Sequence, residues 1–195
     1  VDLPGAFSLK GGGILENLTD SLTRSGTIGL DMVTRNLNFL TGLTGVTPDG
    51  SLVIPDSMSL KMKMEMNGPQ YKAKLDLKEG KGSMNVNAAL NSSTEVYTAD
   101  LKINDLQLHH FLPKDSIYEL SLSADAKGRG LDVMSFHSLA NLNLSLDQLH
   151  YARYHLSHVH LSGNLKGALA SAPLTSDNVL LKMRAAAEYN LDFSY

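Results

Sequence analysis

The residues best equipped for chemistry are the histidines. The chain has seven, and His150, His155, His158 and His160 fall close together in sequence. A His-x-His pair supplies two ligands to zinc or copper when a strand presents both on one face. Val159 and Leu161 claim the opposite, apolar face of that strand, which puts His158 and His160 on the solvent side. No carboxylate stands at a spacing that would complete a site, so the pair is expected to be solvated. His109 and His110, beside Phe111, are likewise expected in a solvated loop.

Nucleophilic chemistry has still less support. There is no Cys, which removes disulfides, thiolate zinc sites and a cysteine nucleophile. No Gly-x-Ser-x-Gly elbow accompanies the many serines. Asp132, Ser135 and His137 are near in sequence, but a catalytic triad is an arrangement in space, not a spacing. Asp100 and Asp105 are expected to be ordinary surface acids. No Walker loop or dinucleotide fingerprint is present, so no cofactor, metal or catalytic residue is expected and the chain is not read as an enzyme. The net charge is −3 with both signs interspersed. A nucleic-acid binder would carry a basic stripe, so no nucleic-acid partner is expected. No apolar run reaches the length of a membrane-spanning helix. The opening Val1-Asp2-Leu3-Pro4 lacks the pattern of a signal peptide. A start without Met and a strand-like pattern reaching Tyr195 suggest a segment of something longer, with targeting and anchoring signals outside it.

The elements that would position any site are strands. Over residues 57–66, Met58, Leu60, Met62, Met64 and Met66 alternate with Ser59, Lys61, Lys63 and Glu65, and period two puts the five apolar residues on one face. Asn67-Gly68-Pro69 ends that strand. Tyr71, Ala73, Leu75 and Leu77 form the next, and Glu79-Gly80-Lys81-Gly82 turns the chain. Met84, Val86, Ala88 and Leu90 follow, then Asn91-Ser92-Ser93, then Tyr97, Ala99, Leu101 and Ile103. Four strands with short turns predict an antiparallel meander. Residues 109–115 interrupt it as a loop or a single helical turn. Leu120, Leu122, Ala124 and Ala126 resume it until Gly128-Arg129-Gly130. Leu142, Leu144 and Leu146 make another strand, followed by Tyr154 with Leu156 and Val159 with Leu161. Gly163 and Gly167 are expected at bulges or turns. Val179, Leu181, Met183, Tyr189, Leu191, Phe193 and Tyr195 close the pattern, for roughly nine to eleven strands in all.

Residues 1–56 read less clearly. Gly11-Gly12-Gly13 predicts a flexible break or a bulge. Ile14, Leu15, Leu18 and Leu22 approach helical spacing, as do Leu30, Val33, Leu37 and Leu40. Recurrent Gly, including Gly26, Gly29, Gly42 and Gly45, favours short strands over a long helix. Thr47-Pro48-Asp49-Gly50 predicts a turn. The whole chain is therefore one all-β segment, with a Gly/Thr-rich part over 1–56 and amphipathic strands over 57–195.

The alternation does not say what covers the apolar faces. A sandwich hides two against each other, a barrel fills its interior, and a curled open sheet leaves a groove. The faces mix small Ala with adaptable Met, which specifies a tight core poorly. Met filling a sealed core is still the simpler account from composition.

The middle of the chain resembles the TamB branch of the AsmA-like superfamily in its Bacteroidetes form. The resemblance lies in the run from Tyr97 to Leu108, in Phe111-Leu112-Pro113-Lys114-Asp115-Ser116, in Leu120-Ser121-Leu122-Ser123-Ala124 and Gly128-Arg129-Gly130-Leu131-Asp132, and in the succession from Tyr151 to Leu165. Ile54-Pro55-Asp56-Ser57-Met58-Ser59-Leu60 continues it upstream, and the likeness covers about residues 50–185. It implies an elongated, curled antiparallel sheet (a β-taco) with an apolar concave face and a polar outer face. It implies an internal segment of a periplasm-spanning protein anchored in the inner membrane. That protein would carry phospholipid acyl chains in its groove, serve outer-membrane biogenesis, and work with a TamA- or BamA-type outer-membrane barrel. The lining expected on that basis is Met58, Leu60, Met62, Met64, Met66, Tyr71, Leu75, Leu77, Met84, Val86, Leu90, Leu101, Ile103, Leu120, Leu122, Leu142 and Leu144. The alternatives are a structural sandwich or solenoid with a sealed core, and a barrel that binds one small apolar ligand.

Overall fold

The computed structural model describes residues 1–36, 53–132, 134–167, 169–179 and 182–190. Alternation and short turns make these residues one antiparallel sheet of thirteen strands. In chain order they are β1 (Asp2–Leu3), β2 (Phe7–Glu16), β3 (Ser25–Thr34), β4 (Met58–Asn67), β5 (Gln70–Glu79), β6 (Gly82–Asn91), β7 (Val96–Gln107), β8 (Ile117–Arg129), β9 (Leu139–Tyr151), β10 (Tyr154–Leu156), β11 (Val159–Lys166), β12 (Leu169–Asp177) and β13 (Lys182–Asn190). Each strand lies beside its sequence neighbour, except that β11 passes β10 to pair with β9, which β10 also meets. A 3-10 turn, Leu108–His110, follows β7. Two-residue connections join β4 to β5 and β5 to β6. Each contains a glycine at positive φ, Gly68 and Gly80 at +54°, where a side chain would be strained.

The first thirty-six residues depart from expectation. They hold two ten-residue strands rather than short ones or helix. Gly11-Gly12-Gly13 is neither a break nor a bulge: it pairs in unbroken register with Leu30, Gly29 and Ile28. A β-carbon on Gly13 would stand 2.5 Å from the Thr27 carbonyl oxygen, and one on Gly11 3.2 Å from Leu30 Cδ1. These glycines let the neighbouring strand and its large side chains come close. Gly163 is likewise mid-strand, paired with Leu142, whereas Gly167 is at a turn with φ +61°. The expectations for Leu37, Leu40, Gly42, Gly45, the 47–50 turn, Leu181, Leu191, Phe193 and Tyr195 lie outside the described residues.

The sheet does not close on itself, so it is not a barrel, and with every described strand in one sheet it is not a sandwich. The exposed surface of the chain is 12842 Å², against about 9,000 Å² for a compact globule of its mass. The described strands, in a single sheet, contribute to the excess because the sheet has two faces to expose. The buried apolar residues among those described are few: Ala6, Met58, Leu77, Ile103 and Leu106. The last four form one cluster, joined by Leu108 and Phe111 from the segment of the 3-10 turn.

Two details shape the rim where this cluster lies. Along β7 and β8 the register moves from Ile103–Leu122 to Leu106–Leu120, a bulge that adds a residue to β7. The Asp105 N–H, turned out of the ladder, donates to Ser121 Oγ at 2.8 Å. The bulge leads β7 into the 3-10 turn, which folds over the apolar side. At the start of β4, the buried Thr34 hydroxyl donates to the Pro55 carbonyl at 2.8 Å and accepts from the Met58 N–H at 3.0 Å. The Val53 N–H donates to the Phe111 carbonyl at 2.8 Å, tying the approach to β4 to the turn after β7.

Candidate functional site

Cross-strand register places the residues expected to line a groove on one face. One transverse row runs Leu9, Met32, Leu60, Leu77, Met84, Ile103, Leu122, Leu146, Val159, and ends through Ser176 at Met183. The next runs Leu30, Met62, Leu75, Val86, Leu101, Ala124, Leu144, Leu161 and Leu174. The strands from β2 to β13, at ~4.8 Å spacing, make the longer row roughly 50 Å in length.

The third row is of different make. Ala73, Ala88, Ala99 and Ala126 stand opposite one another on four successive strands, between Met64 on β4 and Leu142 on β9. On one side it is bounded by Leu75, Val86 and Leu101, on the other by Tyr71, Leu90 and Tyr97, which pair in their own row with Met66. Four methyl-sized residues between two rows of large ones form the floor of a shallow trough that crosses the strands. Among the described residues no second layer covers it: Met64 is 44 % exposed and Leu142 39 %.

The rim row holds Met58, then Glu79, then Gly82. Leu106, Leu120 and Leu149 continue the apolar side beyond the bulge. Glu79 follows Leu77 by two, so its side chain is on the apolar face, only 6 % exposed. His110 Nδ1 lies 2.6 Å from Glu79 Oε1, and Glu79 Oε2 is buried without a partner. Its spacing from Leu75 and Leu77 marks it as an apolar-face position, a signal concealed by the turn setting beside Gly80.

The polar face is self-compensating. Lys63 is 2.5 Å from Glu65, and this contact holds the Glu65 carboxyl below the usual carboxylate range. Lys74 lies 3.5 Å from Asp76. Like charges also meet, Lys63 opposite Lys74 and Asp100 opposite Asp125. A shallow hollow on this face is lined by Lys63, Glu65, Lys72, Lys74, Asn87, Thr98 and Asp100, and reaches Ala73, Ala88 and Ala89.

The histidines form contacts that spacing did not suggest. His109 and His110 do not simply meet solvent: their ring centroids are 4.1 Å apart, and His109 lies 5.7 Å from Tyr118. Tyr118 continues to His150 at 4.8 Å, and His150 stacks on His155, its cross-strand partner, at 4.1 Å. His160 is exposed opposite Ser145 and Thr175, as expected of a polar-face residue. His158 instead sits at the break between β10 and β11 with φ +56°. Among the described residues no three His, Asp or Glu are grouped to hold a metal. Asp132, Ser135 and His137 share one tight turn in which the His137 backbone N–H, not its ring, donates to Ser135 Oγ. No protein-family model matches the chain, and neither a curated protein nor a solved structure does.

Proposed function

We propose that this chain is a non-enzymatic segment of a hydrophobic groove that carries phospholipid acyl chains in outer-membrane biogenesis. The observation behind it is an apolar face that, away from the rim, no described strand covers, with its trough over Ala73, Ala88, Ala99 and Ala126. A buried acyl methylene contributes about 0.8 kcal/mol wherever it lies on such a face. A chain lying along the trough meets many small, similar contacts and no polar pin, which suits sliding better than tight capture. Adaptable Met62, Met64 and Met66 beside the trough fit irregular partners. In this proposal, which rests also on the resemblance to TamB-like proteins, the full-length protein is periplasmic, anchored in the inner membrane, and meets a TamA- or BamA-type barrel.

The test is lipid occupancy. Protein purified from cells is extracted and analysed by native mass spectrometry, with photo-crosslinkers at Met62 and Leu75 and a control at Thr98 on the polar face. Phospholipid is expected on the wild type, and lipid crosslinks at the first two positions only. Met64→Glu or Leu75→Asp should remove it, and Thr98→Glu should not. Absence of phospholipid, with crosslinks to protein alone, overturns the proposal.

A further inference from the structure

We infer that Glu79 is an anchor for the ammonium head of an amphiphile whose tail lies on the apolar face. The inference rests on the groove proposal and adds the class of head group.

A carboxylate on an apolar face is costly unless both oxygens are satisfied. Glu79 has a partner, His110, on Oε1; its other oxygen is buried and bare. Its row neighbours are Met58 on one side and Gly82 on the other, and Leu77, two residues before it, faces the same way. The lysines nearest in sequence leave that oxygen bare: Lys78 alternates to the polar face, and Lys81 is exposed in the turn. The Glu79 carboxylate therefore keeps one bare, buried oxygen, with the half-exposed His110 on the other. A primary ammonium has three donors and no acceptor, which matches that deficit, while an anionic head would be repelled.

Access runs past His110. Its side chain is 45 % exposed and it belongs to a one-turn segment, so its ring can turn outward and leave Oε1 to the ligand. The ammonium then sits at the rim while the tail crosses Met58 and Leu77 towards the transverse rows.

Equilibrium dialysis with decylammonium, decanol and decanoate, each below its micelle concentration, tests the anchor. Ethanolamine serves as an amine without a tail. The wild type is expected to bind decylammonium about tenfold more tightly than decanol, the scale of one charge-assisted hydrogen bond. Decanoate should bind most weakly, and ethanolamine should not compete. Glu79→Gln should bring decylammonium down to the level of decanol, with strand content checked by circular dichroism. His110→Ala should keep or raise the preference. Equal binding of the three decyl probes overturns the anchor and leaves the groove standing. So does a preference that survives Glu79→Gln, a preference lost in His110→Ala, or ethanolamine binding as tightly as decylammonium. Binding of none of the decyl probes overturns both. If Glu79→Gln fails to fold, the wild-type ranking and His110→Ala decide between anchor and no anchor.

Discussion

Replacing Thr34 by Val keeps the shape of a side chain that is 1 % exposed and removes only its hydroxyl. That hydroxyl ties the end of β3 to the chain entering β4, one step beyond the last ladder pair, Val33 with Ser59. The Met58 N–H and the Pro55 carbonyl both lose this partner, and both residues are buried. Each buried backbone group left bare costs about 1–3 kcal/mol. The approach to β4 can shift and admit water, so the sum expected is about 2–4 kcal/mol, towards the lower part of the range for two groups. Thr34→Ser keeps the hydroxyl and loses a methyl, for about 1 kcal/mol. Urea unfolding followed by far-ultraviolet circular dichroism gives the totals, and hydrogen exchange at the Met58 amide gives the local effect. Met58 exchange should accelerate in Thr34→Val and stay slow in Thr34→Ser. If the two variants have the same stability and the same Met58 protection, the hydroxyl does not clamp this junction.

Two further substitutions probe the sheet. Gly13→Ala should destabilise by at least about 1 kcal/mol, because the new methyl meets the Thr27 carbonyl, while Gly12→Ala, with nothing within 4 Å, should be neutral or mildly stabilising. Equal urea midpoints for the two would contradict the close approach of β2 and β3. Asp100→Lys turns the like-charge pair with Asp125 into an opposite one, for a gain of about 0.2–1 kcal/mol that should shrink with added salt. A gain that persists at high salt would point away from electrostatics.

What the sequence made legible was periodicity. Met58 to Met66 alternate so regularly that only a strand places them together, and a side-chain period of two then assigns the faces of β4 to β9. Register follows where turns are short: the tight turns at Gly68 and Gly80 fix how β4, β5 and β6 are offset. The segment around Gly11 was obscure for a physical reason. Its glycines carry no side chain to alternate, and Ile14, Leu15, Leu18 and Leu22 imitate a helical stripe although the chain leaves β2 after Glu16. Whether the apolar face is sealed is not a local property at all. It depends on whether distant strands return over the sheet, and here each described strand lies against its neighbours. Glu79 was missed because a charged residue before Gly reads as part of a turn, whereas counting by twos from Leu75 and Leu77 places it on the apolar side.

A single-layer sheet also separates stability from occupancy. Leu75 leans on Met62 and Val86, its partners in the row, and touches the edge of the rim cluster while staying half-exposed, and no described strand stands above it. Its contribution to folding therefore comes from contacts within the layer, as in repeat structures whose stability is a sum of neighbour terms. A charge at Leu75 keeps its head in water on the open side, so the fold loses lateral contacts without taking on a fully buried ion. For anything lying on the face the same charge is directly in the way. Leu77, 9 % exposed and itself a member of the rim cluster on which Leu108 and Phe111 pack, lacks that freedom. Leu77→Asp should thus cost several times more stability than Leu75→Asp in urea unfolding, although both sit on the same strand and face. Equal costs would mean that the trough is covered as closely as the rim.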